Sequence, residues 1–409
     1  MNTNNKLKIF NDPIYGFITI PNTLIFDLIA HRYFQRLRRI SQMGLSYLVY
    51  PGAHHTRFHH ALGCLHLMQK AVRILRFKGV SISSSEENGL YIAILLHDIG
   101  HGPFSHAMEH SIVENISHEY ISLKFMEVLN IEFCGKLDTA ISMFKGEYHR
   151  RFFGQLISGQ LDIDRSDYLK RDSFYTGVSE GNINSERLIS MMNVIDDDLV
   201  IEEKGIYSVE KFLMARRLMY WQVYLHKTSL VAEQLLIRLL KRAKILTSQG
   251  IHLKGSNALN YFLQKNVSKS KLDLEALDTF AKLDDVDIIS AMKSWQDHDD
   301  FVLRNLSQMI MERELLKIKF QKKIVKGSNL KKHIKSLKLK YSISDEEASY
   351  FVFNGEVTNQ AYDLKKDNIK ILLKNGKVKD IVNISDHLNL KALSKRVTKF
   401  YICYPKEKL

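Results

Sequence analysis

Proline is scarce, with five in 409 residues, so little in the chain stands against long helices. Cysteine is scarcer still. Cys64, Cys134 and Cys403 are odd in number and far apart, which excludes a disulfide framework and a CxxC zinc clamp and points to a reducing cytoplasm. No run of eighteen apolar residues occurs, and the amino-terminal MNTNNKLKIFNDP lacks a signal-like apolar stretch. Neither secretion nor membrane spanning is expected. Repeats, Gly-Ser linkers and low-complexity tracts are also missing, so composition marks no sharp domain boundary.

What is present is the balance of a globular protein, 45% hydrophobic and 25% charged residues. Lys and Arg outnumber Asp and Glu by 59 to 45, a net charge of +14. That excess favours acidic partners such as nucleotides or nucleic acid, although a solvated basic surface produces the same count. The length allows one large domain plus a lobe.

Residues 8 to 21 (KIFNDPIYGFITIP) alternate apolar and turn residues, which predicts a small strand or extended hook. From there to about residue 240 apolar positions recur at helical spacing, for example Leu24, Phe26, Leu28 and Ile29, or Ile92, Leu95 and Leu96. The Lys-rich stretch 314 to 342 reads as a solvated helix face in preference to a phosphate contact. Later, Asn375-Gly376 between two β-prone stretches predicts a two-residue hairpin. The expectation is a mainly α protein: a helical core over 1–240 with the amino-terminal hook, then a smaller mixed α+β lobe over 241–409.

Chemistry concentrates in YIAILLHDIGHGPFSH at 91 to 106. An apolar run delivers His97 and Asp98, and His101 and His106 follow. On a continuous helix His101 would sit one turn beyond His97 on the same face. Gly100 and Gly102 would let the chain bend and Pro103 would stop the helix. Two more segments supply further donors: PGAHHTRFHHALG, with His54, His55, His59, His60 and Arg57, and SGQLDIDRSDYLKRD, with Asp162, Asp164, Arg165, Asp167 and Asp172. Mixed imidazole and carboxylate donors suit a divalent ion in hydrolysis, because such an ion acidifies water and neutralises phosphate together. Arginines beside them suit phosphate oxygens. For any single residue here a surface ion pair is the ordinary alternative.

RFHHALG, HDIGHGPFSH, SHEY and LDIDRSDY, in this order, resemble the H, HD and D blocks of the HD-domain phosphohydrolase superfamily. Their wording is similar to bacterial relatives of the sterile-alpha-motif-and-HD-domain dNTP triphosphohydrolases. KIFNDPIYGFI, FQRLRRISQMGLSYLVYPGA and ARRLMYWQVYLHK extend the resemblance over roughly residues 7 to 230. It implies an HD-domain helical core and one divalent ion (Mn, Fe, Mg, Ni or Zn) held by His60, His97, Asp98 and Asp164, with His59 outside the ligand set. It implies that His106 protonates the leaving oxygen, that Glu109 orients His106, and that His101 and His118 bracket the α-phosphate. Arg57 and Arg165 would bind phosphate, and Arg216 would meet the γ-phosphate. Gln42, Tyr168 and Asp172 would contact the deoxyribose, and Tyr224 would lie near the sugar and base.

The implied reaction is dNTP plus water to deoxynucleoside plus tripolyphosphate. The implied assembly is a homo-oligomer, a dimer or tetramer. A nucleotide activator at the subunit interface would use Lys8, Asn11, Gln35 and Arg38, but Ala30 stands where relatives read guanine with a carboxylate. The alternatives are an HD phosphohydrolase acting on a cyclic nucleotide, an alarmone or a monophosphate, and a non-catalytic protein that binds nucleic acid.

Overall fold

A computed structural model describes residues 8–104, 106–109, 111–113, 116–363, 368–385 and 393–406, with the backbone alone at His106. The hook is an antiparallel hairpin of β1 (Ile9–Asp12) and β2 (Gly16–Thr19), with Ile9 opposite Thr19. Asp12 fixes its turn by accepting from the Ile14 and Tyr15 amides. Helix α1 (Thr23–Ala30) follows, capped by Asn22.

The core is built on α2 (Arg57–Phe77), which packs against α3 (Ser84–Leu96). A capping box between Ser83 and Glu86 starts α3, and every residue from Gly89 to Leu96 is buried. A helix apolar on all sides belongs in a core. Around this pair lie α4 (His118–Glu132), α5 (Ile163–Thr176), α6 (Ile206–Met219) and α7 (Lys227–Ser248). No helix is long and apolar enough to cross a membrane among the described residues.

The carboxy-terminal region is mixed α and β, and it is woven into the first half. Helix α7 crosses residue 240 without a break, so the expected 240/241 boundary falls inside a helix. Helix α8 (Phe301–Met311) packs along it. From the helix that begins at Asp285, that residue's carboxylate accepts from the Ser41 amide at 2.8 Å and the Phe104 amide at 3.1 Å. One sheet runs in the order β3 (Met192–Ile195), β4 (Asp198–Glu202), β7 (Lys370–Leu372), β8 (Val378–Asp380). Its β4–β7 pair is parallel, with Ile201 opposite Ile371. A second, antiparallel sheet places β9 (Val397–Tyr404) between β5 (Lys317–Gln321) and β6 (Phe353–Asn359).

Of two local expectations, the first is corrected and the second is met. The β7–β8 connection is a longer loop in which only Gly376 has positive φ, at 78°, and its amide donates to the Leu373 carbonyl. That is a type I turn followed by a left-handed glycine, whereas a two-residue I′ turn needs two such residues. The lysine-rich helix α9 (Gly327–Tyr341) has only Leu337 buried, which makes it a solvated helix.

Candidate metal centre and adjoining cleft

Three segments carry the donors to one place. Thr56 caps α2 together with His59, whose Nδ1 accepts from the Thr56 amide at 3.2 Å. His59 is thereby occupied at the cap, and His60 points inward, fully buried. Asp162 caps α5 by accepting from the Arg165 amide at 2.8 Å, which sets Asp164 in the first turn, where the helix dipole favours a carboxylate. Helix α3 ends at Leu96, and His97 follows with its Nδ1 donating to the Ile94 carbonyl at 2.7 Å.

Around the centre the His60 Nε2 to Asp164 Oδ1 distance is 3.1 Å, His97 Nε2 to Asp164 Oδ1 is 3.5 Å, His97 Nε2 to Asp98 Oδ1 is 3.4 Å and His60 Nε2 to Asp98 Oδ2 is 3.8 Å. Donors bound to one ion at about 2.0–2.2 Å sit roughly 3 to 3.6 Å from their neighbours, so the spacing fits a single divalent cation. The chemistry of the donors fits as well. Each His has its Nδ1 bonded elsewhere, leaving Nε2 to face the centre, and the buried His97 Nε2 has no hydrogen-bond partner among the described residues. A buried ring nitrogen left this way calls for a ligand. Both carboxylates are held well below their ordinary range: burial opposes this, but is outweighed at Asp98 by His97, His101 and Arg57, and at Asp164 by the facing imidazoles of His60 and His97.

Behind His60 runs a buried charge relay. His60 Nδ1 meets Asp167 Oδ2 at 2.7 Å, Arg171 donates to Asp167 at 2.8 and 3.0 Å, and Arg171 Nη1 donates to Asp12 in the hook at 2.8 Å. Asp167 is held down at about 2, burial being outweighed by Arg171 and the His60 bond. Gly63 on α2 makes room for this pair, since a Cβ there would lie 2.0 Å from Asp167 Oδ1 and 2.3 Å from Arg171 Nη2. The sequence showed Asp167 without assigning it a role. The signal available was its spacing, three residues after Asp164 and four before Arg171, along one face of α5.

His101 does not share a helix face with His97, contrary to expectation, because α3 has already ended and residues 97–100 form turns. Gly100 serves close packing: a Cβ there would lie 2.2 Å from the Ser122 amide of α4. That approach stacks His101 on His118 at 3.8 Å between ring centroids, with His101 Nε2 3.3 Å from Asp98 Oδ1. Burial, with Arg57 nearby, pushes His101 well below its ordinary pKa. His118 is raised: burial opposes, but the 2.7 Å bond from its Nδ1 to Glu109 prevails. Glu109 is therefore engaged with His118. The side chain of His106 lies outside the described residues, and with it the expected contact to Glu109.

Arg57 Nη1 donates to Asp98 Oδ2 at 2.5 Å. Arg165 donates to Asp162 and to the Gly159 carbonyl. Both arginines line a cleft of about 590 Å³, together with Gln42, His101, His118, Asp164, Tyr168, Asp172 and Tyr224. Asp172 accepts from His55 at 2.7 Å and from the Tyr224 hydroxyl at 2.6 Å. Arg216 is not among the residues lining the cleft, and its Nη1 donates to the Ala361 carbonyl at 3.0 Å. At the expected activator position, Arg38 lies over the Phe58 ring at 3.6 Å and donates to Gln35 at 2.9 Å, and Lys8 lies over Phe26 at 4.4 Å.

A fold with this arrangement is that of an HD-domain phosphohydrolase, and comparison with known proteins agrees. The HD domain family matches residues 57–171, and the HD associated region matches 183–253. The chain is 37% identical to the uncharacterized protein YwfO of Bacillus subtilis, over 76% of this chain and 71% of that one. Its fold matches the crystal structure of a phosphohydrolase from Bacteroides thetaiotaomicron with a TM-score of 0.95 and 50% identity, covering 98% of this chain and 100% of that one. It is 33% identical to the Dictyostelium discoideum homolog of the deoxynucleoside triphosphate triphosphohydrolase SAMHD1, over 54% of this chain and 46% of that one. The chain belongs to the HD-domain phosphohydrolases, metal-dependent hydrolases, and is related to SAMHD1.

Proposed function

We propose that the chain hydrolyses deoxynucleoside triphosphates at the α-phosphorus, releasing a deoxynucleoside and tripolyphosphate. One observation carries this reading: a single cleft joins the His/Asp centre and its cations to a wall of Tyr168, Asp172 and Tyr224 that suits a sugar. Its volume lies in the range of small-molecule sites, roughly 300–1,000 Å³. A divalent ion held by His60, His97, Asp98 and Asp164 would supply Lewis-acid neutralisation of phosphate charge and ease deprotonation of water.

The protein groups divide the remaining work. Arg57 and Arg165 place two permanent cations along the cleft for the phosphate chain. His118, kept toward its charged form by Glu109, adds a donor, and neutral His101 stacks beneath it. The Asp172 carboxylate is oriented by His55 and Tyr224, which suits it to hold a sugar hydroxyl. In the reaction the bond from α-phosphorus to O5′ breaks while water oxygen joins phosphorus, and O5′ takes up a proton, the role we assign to His106.

Incubating metal-loaded protein with each dNTP, and resolving products by anion exchange, tests this. Deoxynucleoside with tripolyphosphate is expected. Release of orthophosphate or pyrophosphate, or turnover confined to cyclic nucleotides, alarmones or monophosphates, would replace the reading.

A further inference from the structure

The cleft has a third wall that the phosphate and sugar roles leave unused. On α7, Ser229, Glu233 and Leu236 fall at i, i+4 and i+7, one face of the helix, and all three line the cleft together with the loop Met43–Ser46. Ser229 is 6% exposed and its Oγ has no hydrogen-bond partner among the described residues. Among the described residues no hydrogen bond or ion pair reaches the Glu233 carboxylate either. Partly buried carboxylates are ordinarily paired, and unpartnered polar groups at a cavity wall indicate a ligand that supplies the missing donors.

We propose that Ser229 and Glu233 form the nucleobase subsite of this cleft and that Glu233 selects guanine. The inference rests on the nucleotide reading above and deepens it. With cations and metal donors claiming the phosphates, and Tyr168, Asp172 and Tyr224 the sugar, the base is the part left to meet α7. Two carboxylate oxygens accept two parallel N–H donors, as an arginine fork shows in reverse. Guanine alone among the four bases offers adjacent donors, N1–H and the 2-amino group. Adenine and cytosine offer one amino group beside an acceptor nitrogen, and thymine offers one imino N–H between two carbonyls. A site of acceptors facing the thymine carbonyls would meet repulsion and leave its own atoms unpaired, the arrangement that discriminates most strongly. Burial raises Glu233 to about 7, with no offsetting partner among the described residues. Donors from a bound base would offset it.

The test is a competition among the four dNTPs in one mixture, with deoxynucleosides quantified chromatographically for wild type and Glu233→Gln, and melting curves confirming that both are folded. Wild type is expected to favour dGTP over dTTP by at least about tenfold in kcat/KM, and Glu233→Gln to collapse that ratio by about tenfold or more. Ser229→Ala repeats the test should the Gln variant fail to fold. Turnover of dNTPs with the ratio unchanged by the substitution overturns the base assignment and leaves the proposed activity standing. Should wild type cleave no dNTP, the activity fails, and binding of deoxyguanosine against thymidine, measured by calorimetry, still decides the subsite. Preference for deoxyguanosine that Glu233→Gln abolishes supports it, and equal binding sinks it.

Discussion

Replacing Asp167 by Asn tests whether the relay behind His60 both stabilises the fold and prepares the metal centre. Asn is isosteric, so shape is kept while the charge is removed from a carboxylate that accepts from His60 at 2.7 Å and from Arg171 at 2.8 and 3.0 Å. A carboxyl held at about 2 instead of 3.8 corresponds to about 2 kcal/mol of stability, present above pH 4 and lost as pH falls through 2. Breaking a buried pair outright costs about 3–5 kcal/mol, and Arg171 keeps Asp12 as a partner, so a loss of about 2–4 kcal/mol is expected. Metal affinity should fall as well, by about 10- to 100-fold, because the group that orients His60 is weakened. Asp12→Asn is the control: it touches Arg171 and not His60, so it should lower stability with a smaller effect on metal. Urea denaturation and metal titration on the three proteins read both quantities. Wild-type affinity together with an unchanged midpoint in Asp167→Asn would falsify the relay.

Asp98→Ala should lose bound metal, measured by elemental analysis, and turnover together; a variant that keeps its metal would remove Asp98 from the ligand set. His106→Ala should retain metal and nucleotide binding while kcat drops by about 10²- to 10⁴-fold, and a fully active variant would end its proposed role as acid. Glu233, raised from 4.5 to about 7, weakens the folded state progressively as pH rises through that window. Glu233→Gln should therefore match wild type in stability near pH 4.5 and exceed it by up to about 3 kcal/mol at pH 8, and a difference independent of pH would contradict the unpartnered carboxylate. Light scattering should find a dimer or tetramer, with a constant 47.5 kDa particle at all concentrations counting against it.

The metal-capable residues were legible because they come in short dense blocks, so the order of RFHHALG, HDIGHGPFSH and LDIDRSDY already suggested convergence. Their supports were not. Asp12 lies 159 residues before Arg171, and nothing local in either segment signals the pairing. His101 was misplaced because an apolar run shows where a helix is buried better than where it ends. Gly100, read as a bend, answers to the closeness of α4, a tertiary fact. Glu233 could have been noticed as an acid on an otherwise apolar helical stripe, but its meaning depends on what lies across the cleft.

The parallel pairing of β4 with β7 also has a consequence for biosynthesis. Glu202 must wait for Leu372, and the 170 residues from 203 to 372 emerge from a ribosome over roughly 10–30 s at about 5–20 residues per second. Throughout that interval the nascent chain presents β4 with one edge open, next to helices that can already have collapsed. Arg216 likewise has no Ala361 carbonyl to meet until late in translation. The half that carries the metal donors is thus completed by residues made much later, and a fragment ending near residue 240 would carry that open edge permanently.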